Sequence, residues 1–207
     1  MRLFDYLPSG NSYKVRWIAA QLGIAYDHVD VDIHAGDTRS EEFLAMNPAG
    51  QIPTLQLDDG RTLAESNAII RYLADGSPWV PEDPYLHARM LQWQFWEQYR
   101  HEPSIAVARF IMNYAPDSRA NELASLMPKG EAALGVMEAH LENNDWFVGE
   151  RCTLADVSLY AYTHVAEEGG FDLSQFPAVQ RWLERFASQD GHIPITKKPN
   201  AGAGSDV

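Results

Sequence analysis

The chain has 207 residues and a formal charge of −13, with 45% apolar and 22% charged residues. This length and composition suit one large or two small globular domains with a real core. So acidic a chain repels nucleic acid and anionic lipid at long range, and no Lys/Arg cluster reverses that, so we expect no nucleic-acid partner. The sequence contains no run of about 18 apolar residues, so we predict no membrane span. The opening residues do not resemble a signal peptide. The single cysteine, Cys152, excludes an internal disulfide and fits a cytoplasmic location.

Residues 1–75 mix the periodicities of strands and helices. A short apolar run at 3–6 predicts a strand, and Val15, Ile18, Ala19 and Leu22 predict a helix with one buried face. Alternating residues in 26–33 predict a half-buried strand, and a short helix follows near 40–46 with Ser40 as its N-cap. Segments 54–57 and 61–63 predict a hairpin, and a last helix contains Ile69, Ile70 and Leu73. The predicted order is βαβ followed by αββα.

Residues 76–84 contain a glycine and three prolines and predict a linker, because proline cannot extend a helix. Strand patterns nearly vanish after it, and helical stretches are predicted at 85–114, 117–143, 153–167 and 177–188. The fold class is therefore α/β plus all-α, with a small α/β domain over 1–75 and an all-helical domain over 85–195. The tail 196–207 is rich in Gly, Ala and Pro, and we expect it to be disordered.

Three segments resemble glutathione S-transferases. The first, SGNSYKVR from Ser9, resembles the zeta-type pattern Ser-Ser-Cys-Ser-Trp-Arg-Val-Arg and the Nu-type pattern Thr-Pro-Asn-Gly. The second, NPAGQIPTL from Asn47 followed by LAESNAI from Leu63, is similar to the glutathione-binding signature in order and spacing. The third, TLAD from Thr153, resembles the capping motif of the C-terminal core helix. The chain is identified as a member of this superfamily, which implies a thioredoxin-like N-terminal domain, a helical-bundle domain and a homodimer. It also implies glutathione as co-substrate and no separate cofactor.

The resemblance also implies the residues that hold glutathione, namely Arg39, Gln51, Ile52, Pro53, Glu65 and Ser66. A cis Ile52–Pro53 bond would present the Ile52 backbone to the cysteinyl residue, whereas a plain alternative is that Pro53 starts an edge strand. Glu65 is expected to take the amine, and Ser66, beside Gln51, the γ-glutamyl carboxylate; the alternative for both is ordinary helix capping. Arg39 is a candidate for the glycine carboxylate, and its alternative is a solvated surface arginine.

Thiol activation is the central chemical step. A thiol with a pKa of about 8.5 is mostly protonated at neutral pH, and lowering that pKa by about two favours the thiolate by about 2.7 kcal/mol. Ser9 matches the activating Ser or Thr of the family, and Asn11 matches its zeta-type Cys and Nu-type Asn. We rank Ser9 first and Asn11 second as catalytic donors to the sulfur. Ser12 is an alternative donor or a helix cap, and Tyr13 is expected to pack.

The partner of glutathione is expected to be a small hydrophobic electrophile. In the family the first helix of the second domain lines its cleft, which makes Trp96, Tyr99 and Arg100 candidates for the second-substrate pocket. Aromatic residues at helical spacing are more often core, so packing is the alternative. Two other functions stay open: a glutathione-dependent disulfide reductase or peroxidase, and a non-catalytic, ligandin-like glutathione-binding protein.

Thr153 and Asp156 predict a capping box at the start of a helix, flanked by a hydrophobic staple of Cys152 and Val157. This interpretation makes all four residues structural, and it makes Cys152 a small buried residue rather than a nucleophile. The seven histidines show no spacing typical of metal ligands, so we predict no metal site.

Overall fold

The computed structural model describes residues 1–198 and divides the chain into two compact units. The first unit comprises Met1–Asp75 together with the segment that begins at Gly191, and the second comprises Gly76–Asp190. The predicted fold class, an α/β unit and an all-helical unit, is confirmed. Most of the tail predicted to be disordered, 199–207, lies outside the described residues.

A four-stranded mixed sheet organises the first unit. Its strands are β1 (Arg2–Asp5), β2 (Asp27–Asp30), β3 (Thr54–Gln56) and β4 (Thr62–Leu63), in the order β2-β1-β3-β4. Strand β1 is parallel to β2 and antiparallel to β3, and β3 pairs antiparallel with β4. Since parallel neighbours need a crossover, α1 (Gly10–Gln21) connects the first two strands. Helices α2 (Glu41–Met46) and α3 (Ser66–Leu73) complete the unit, with a 3-10 turn at Asp37–Arg39.

Strand β2 is shorter than the predicted range 26–33, because its neighbour β1 ends at Asp5. Asp5 is the last residue with a partner in the register, opposite Asp30, and the Val31 N–H still donates to the Asp5 carbonyl at 2.8 Å. Beyond that point the chain has no ladder to follow. Val31 is buried against Phe4 and Phe43. The burial predicted from the alternating pattern is therefore observed at Val31, although the strand ends before it.

Helix α1 carries a buried ionic network on its inner side. Arg16 Nη1 lies 2.8 Å from Asp5 Oδ2, and His28 Nε2 lies 3.0 Å from the same oxygen. Arg16 also donates to the Leu7 carbonyl at 2.7 Å. Burial by itself raises the pKa of Asp5, but the contacts with His28, Arg16 and Ser12 outweigh it and hold that pKa below its usual value. The charge of Arg16 is therefore compensated inside the unit.

The segment that begins at Gly191 returns to the first unit and contacts α1. Three side chains of α1 donate hydrogen bonds to this segment. Tyr13 Oη donates to the Ile193 carbonyl at 2.6 Å, and Arg16 Nη2 donates to the Ile195 carbonyl at 3.1 Å. Trp17 Nε1 donates to the ring nitrogen His192 Nδ1 at 3.3 Å. Residues up to 195 were predicted to belong to the helical domain. The structure assigns 191–195 to the α/β unit instead, because these long-range contacts leave no periodic pattern in the sequence.

The second unit is built of helices. They are α4 (Pro84–Trp96), α5 (Glu102–Tyr114), α6 (Ala120–Leu141), α7 (Leu154–Thr163) and α8 (Pro177–Ala187), with 3-10 turns at Ala166–Gly169 and Leu173–Gln175. A π turn at Glu97–His101 divides the helical stretch predicted at 85–114 into α4 and α5. Across the described residues, no helix combines the length and the apolar character that crossing a membrane requires.

Helix α7 begins with the predicted capping box. The Thr153 N–H donates to the Asp156 carboxylate at 2.9 Å, and the Ala155 N–H donates to Thr153 Oγ1 at 3.3 Å. The same carboxylate also accepts from the Phe147 N–H at 3.0 Å and from Trp182 Nε1 at 3.1 Å. Burial nevertheless raises the pKa of Asp156 to about 6, against the lowering effect of these hydrogen bonds.

The residues that flank this box are buried, as a hydrophobic staple requires. Cys152 is 6% exposed and Val157 is 2% exposed. Burial raises the pKa of the Cys152 thiol well above its usual value, which keeps it protonated at neutral pH. The structure thus gives Cys152 the surroundings of a packing residue rather than of a nucleophile.

Candidate functional site

Two residues predicted for different parts of the ligand are in direct contact in the first unit. The Ser66 hydroxyl, at the start of α3, donates to Asn11 Oδ1 in the first turn of α1 at 3.1 Å, although 55 residues separate them. Lys14 joins them, because its Nζ donates to Asn11 Oδ1 at 2.9 Å and lies 3.4 Å from Ser66 Oγ. The starts of α1 and α3 therefore meet at one cluster, Asn11–Lys14–Ser66, which we call the ammonium cluster.

Ser9 is the N-cap of α1, and its Oγ accepts from the Ser12 N–H at 3.2 Å. This corrects the alternative in which Ser12 caps the helix, since Ser12 is itself inside the first turn and fully buried. A hydroxyl that accepts from the backbone keeps its own hydrogen for another acceptor. Capping therefore does not prevent Ser9 from donating to a sulfur.

Glu65 has a backbone conformation that is unusual for its residue type. Its φ is 66°, and among the described residues no other non-glycine residue has a positive φ. It occupies the N-cap position of α3, yet within this structure its side chain makes no capping hydrogen bond. The capping alternative therefore does not explain Glu65. Strained residues of this kind cost about 1–3 kcal/mol and concentrate at functional sites.

The loop between α2 and β3 presents Gln51 and Ile52. The Ile52–Pro53 peptide is cis, as predicted. Asn47 Nδ2 donates to the Gln51 carbonyl at 2.8 Å, and Thr54 Oγ1 donates to the same carbonyl at 3.1 Å. Both of these polar residues are buried, whereas the Gln51 side chain is exposed. The loop is thus fixed from its inner side while its outer side stays accessible.

The strand after Pro53 is not an edge strand. Strand β3 begins at Thr54 and pairs with β1 on one side and with β4 on the other. The edge-strand alternative for Pro53 is therefore wrong, because the hydrogen-bonding positions of β3 are occupied on both sides.

Arg39 lies beside the same loop. Its Nη1 donates to the Ala49 carbonyl at 3.3 Å. Gly50, at a φ of 62°, leaves the space that the guanidinium fills, because a Cβ there would collide with Arg39. The guanidinium of Arg39 is therefore adjacent to the residue that precedes Gln51. Arg39 is itself exposed, as the surface-arginine alternative expects, and its guanidinium contacts the loop from the solvent side.

Two family models match the chain, the glutathione S-transferase N-terminal domain over residues 1–75 and the glutathione S-transferase C-terminal domain over residues 99–190. The chain belongs to the glutathione S-transferase family. A glutathione S-transferase-like protein of a Fusarium species is 32% identical over 96% of this chain and 94% of its own length.

Solved structures of glutathione S-transferases superpose closely on this one. A glutathione S-transferase from Pseudomonas fluorescens is 49% identical, with a TM-score of 0.93 over 95% of this chain and 98% of that one. A maleylacetoacetate isomerase from Methylobacterium extorquens, solved with bound malonate and glutathione, is 28% identical, with a TM-score of 0.79 over 92% and 94% of the two chains. Both alignments span the two units described above.

The candidates for the second substrate lie in the other unit of this glutathione S-transferase. Trp96 ends α4, and its ring packs against Trp93 at 5.3 Å between centroids and against His101 at 6.3 Å. This contact favours the packing alternative for Trp96. Tyr99 is 82% exposed, and Arg100, beside it in the π turn, is also exposed.

Three polar residues that position the candidate site were not singled out from the sequence. Asn47 and Thr54 fix the Gln51 loop, and Lys14 completes the ammonium cluster. A local signal existed for Lys14, since it follows Asn11 by three residues and so lies on the same helix face. In the described part of the chain, no group of three or more His, Cys, Asp or Glu side chains is arranged to hold a metal ion.

Proposed function

We propose that this glutathione S-transferase joins the thiolate of glutathione to a small hydrophobic electrophile. The observation that carries the proposal is the contact between Asn11, a candidate for the sulfur, and Ser66, a candidate for the γ-glutamyl carboxylate. In glutathione the carboxylate and the sulfur belong to adjacent residues, joined by two methylene groups and one amide bond of the γ-glutamyl linkage. A ligand of this size fits donors that lie on two adjoining helix starts.

Both ends of glutathione are carboxylates, and the first unit offers a basic or dipolar group for each. The start of α3 supplies N–H groups for the γ-glutamyl carboxylate, with Gln51 as a further donor. The Ser66 hydroxyl turns from Asn11 Oδ1 to donate to the same carboxylate, and Lys14 continues to donate to that Oδ1. Exposed Glu65 takes the neighbouring amine. The Ile52 backbone pairs with the cysteinyl residue, and Arg39 takes the glycine carboxylate.

Ser9 and Asn11 then stabilise the ionised sulfur. Each donates one hydrogen bond to a charged acceptor, and such bonds contribute about 1.5–3 kcal/mol. Two of them suffice to lower the pKa of the thiol by about two. The sulfur lone pair forms a carbon–sulfur bond with the electrophile, while a leaving group departs with its bonding electrons or an activated double bond takes up a proton.

Replacing the two donors tests this assignment. We expect Ser9→Ala and Asn11→Ala each to lower the conjugation rate at about pH 6.5 and saturating glutathione by roughly tenfold, and the double variant by more. Ser40→Ala is a matched control, because Ser40 caps α2 through the Phe43 N–H at the same 3.2 Å distance. It should lose cap stability but keep the rate. A double variant with full activity would contradict the assignment.

A substrate panel separates this function from the two alternatives. Retention on glutathione resin with turnover of electrophiles supports the transferase. Turnover of disulfides or hydroperoxides alone would instead indicate a reductase or peroxidase that uses the thiols of glutathione, because Cys152 is buried. Retention without any turnover would indicate a ligandin-like protein. The family resemblance also leads us to expect a homodimer, which light scattering measures directly.

A further inference from the structure

Lys14 is a charged residue without solvent exposure, in the first unit beside the proposed glutathione site. Its side chain is 0% exposed, although lysine is almost never fully buried unless it is paired. Its ammonium donates to Asn11 Oδ1 at 2.9 Å and lies 3.4 Å from Ser66 Oγ. Both of these partners are proposed to contact glutathione, so the ammonium touches two residues of the proposed site.

The ammonium determines which way the Asn11 amide points. An asparagine side chain has one acceptor end, Oδ1, and one donor end, Nδ2, whereas an ammonium only donates. The Ser66 hydroxyl also donates to the same Oδ1. A flipped amide would set its N–H groups against the ammonium, which cannot accept, whereas the Ser66 hydroxyl could turn and accept. Lys14 therefore holds Oδ1 inward, with the Ser66 hydroxyl as a second donor to it, and Nδ2 is the end that faces away from the ammonium.

We propose that Lys14 is a positioning residue for thiol activation, acting through Asn11. By holding Oδ1, it directs the Asn11 Nδ2–H toward the sulfur of bound glutathione, and its charge polarises the amide so that Nδ2–H donates more strongly. This inference rests on the proposed function, since it needs glutathione in the site. Beyond the proposed function, it attributes the donor strength of Asn11 to a buried cation. The chain that contains this cation has a strongly negative net charge.

The thiolate of bound glutathione, followed by its ultraviolet absorbance, is the direct readout. We expect Lys14→Met, which keeps the length of the side chain without its charge, to lower the thiolate fraction at about pH 6.5 by roughly tenfold. Lys14→Arg restores a cationic donor and should retain most of the thiolate. Affinity for S-methylglutathione, which has no ionisable thiol, should change by less than about threefold in both variants. Unchanged thiolate in Lys14→Met would overturn the inference.

A double-mutant cycle separates action through Asn11 from a general field effect. If Lys14 works through the amide, Lys14→Met should remove little further thiolate when it is introduced into Asn11→Ala. If the two losses instead multiply in full, Lys14 acts independently of Asn11 and the proposal fails. Losses that multiply in full are also what a charge would give if it only added to the electrostatic potential at the sulfur.

Asn11→Asp tests the amide orientation and keeps the buried lysine, so it remains informative if Lys14→Met does not fold. The aspartate retains an oxygen for Lys14 and Ser66 but replaces Nδ2–H with a second, negatively charged oxygen. We expect less thiolate than in Asn11→Ala; more thiolate would overturn the proposal. If the wild-type protein binds no glutathione, the proposed function fails. If it binds with an ionised thiol, these variants test the Lys14 inference alone.

Discussion

Helices α3 and α7 begin with similar residue types and use them in opposite ways. Each start combines a hydroxyl with an acidic residue, Ser66 with Glu65 in α3 and Thr153 with Asp156 in α7. In α7 the carboxylate accepts from the backbone of its own helix start. In α3 the Glu65 side chain makes no capping bond among the described contacts, and the Ser66 hydroxyl points at Asn11.

The comparison shows how the start of α3 would differ from a capped start if it binds an anion, as proposed. A capping box satisfies the orphan N–H groups of a helix with the side chains of that helix. A helix start that holds an anion must leave those groups available and can tolerate strain, as Glu65 does at a φ of 66°. We therefore expect substitutions in α7 to change stability, and those in α3 to change binding with little loss of stability.

Asp156→Ala should have the largest effect. It removes the acceptor for the Phe147 N–H, the Thr153 N–H and the Trp182 indole, all of them buried. Since each stranded buried donor costs about 1–3 kcal/mol, we expect the free energy of unfolding to fall by about 3–5 kcal/mol in urea titrations. Glu150→Ala, at an exposed acid in the preceding loop, is the control. A loss of less than about 1 kcal/mol would contradict the structural role of the box.

The raised pKa of Asp156 gives a defined pH dependence. A carboxyl whose folded pKa is about 6, against 3.8 in the unfolded chain, stabilises the fold below pH 3.8 and loses that contribution as pH rises to about 6. The unfolding free energy of the wild type, relative to Asp156→Asn, should fall by roughly 3 kcal/mol over this window and stay level above it. A difference that does not vary with pH would show that Asp156 titrates with the same pKa in the folded and the unfolded chain.

Ser66→Ala should change affinity rather than stability. The variant loses a donor to the proposed γ-glutamyl carboxylate, while Asn11 Oδ1 keeps its hydrogen bond from Lys14. We expect glutathione affinity to fall roughly tenfold to a hundredfold by calorimetry, and the free energy of unfolding to fall by less than about 1 kcal/mol. If Ser66→Ala costs as much stability as Asp156→Ala and leaves affinity intact, the contrast between α3 and α7 is wrong.

Glu65→Gly should change stability only slightly, and in the unusual direction of a gain. Glycine adopts positive φ without strain, so we expect the free energy of unfolding to rise by about 1 kcal/mol while glutathione affinity falls. Glu65→Ala is the matched control, because it removes the carboxylate but keeps the strained backbone. Its affinity should fall equally without the gain in stability. If neither variant weakens binding, Glu65 has no role in the site.

Features encoded by neighbouring residues were predictable from the sequence. The capping box of Thr153 and Asp156 and the Ser40 cap of α2 depend on four consecutive residues, and the structure contains both. The cis Ile52–Pro53 bond, which the structure also contains, was predicted from the family resemblance rather than from the two residues alone. The division into an α/β part and a helical part follows from hydrophobic periodicity, which is a property of each segment alone.

Features that depend on distant partners were not predictable. Lys14 looks like an ordinary helix residue until α3 brings Ser66 to its ammonium. The limit of β2 is set by where β1 ends, and one extra residue per turn at Glu97–His101 leaves no mark in a helical pattern. Long-range packing therefore explains why the contact of Lys14 with Ser66 could not be predicted, whereas Asn47 and Thr54 contact Gln51 from within four residues.

The return of residues 191–195 to α1 has a consequence for synthesis. Tyr13, Arg16 and Trp17 emerge from the ribosome early, whereas the carbonyl groups and the ring that they contact are made after the entire helical unit. In the nascent α/β unit, the side chains of α1 that contact residues 191–195 therefore lack these partners until more than a hundred further residues have been translated. Domain-by-domain folding from the N-terminus is thus completed for this protein only when its last contacts arrive.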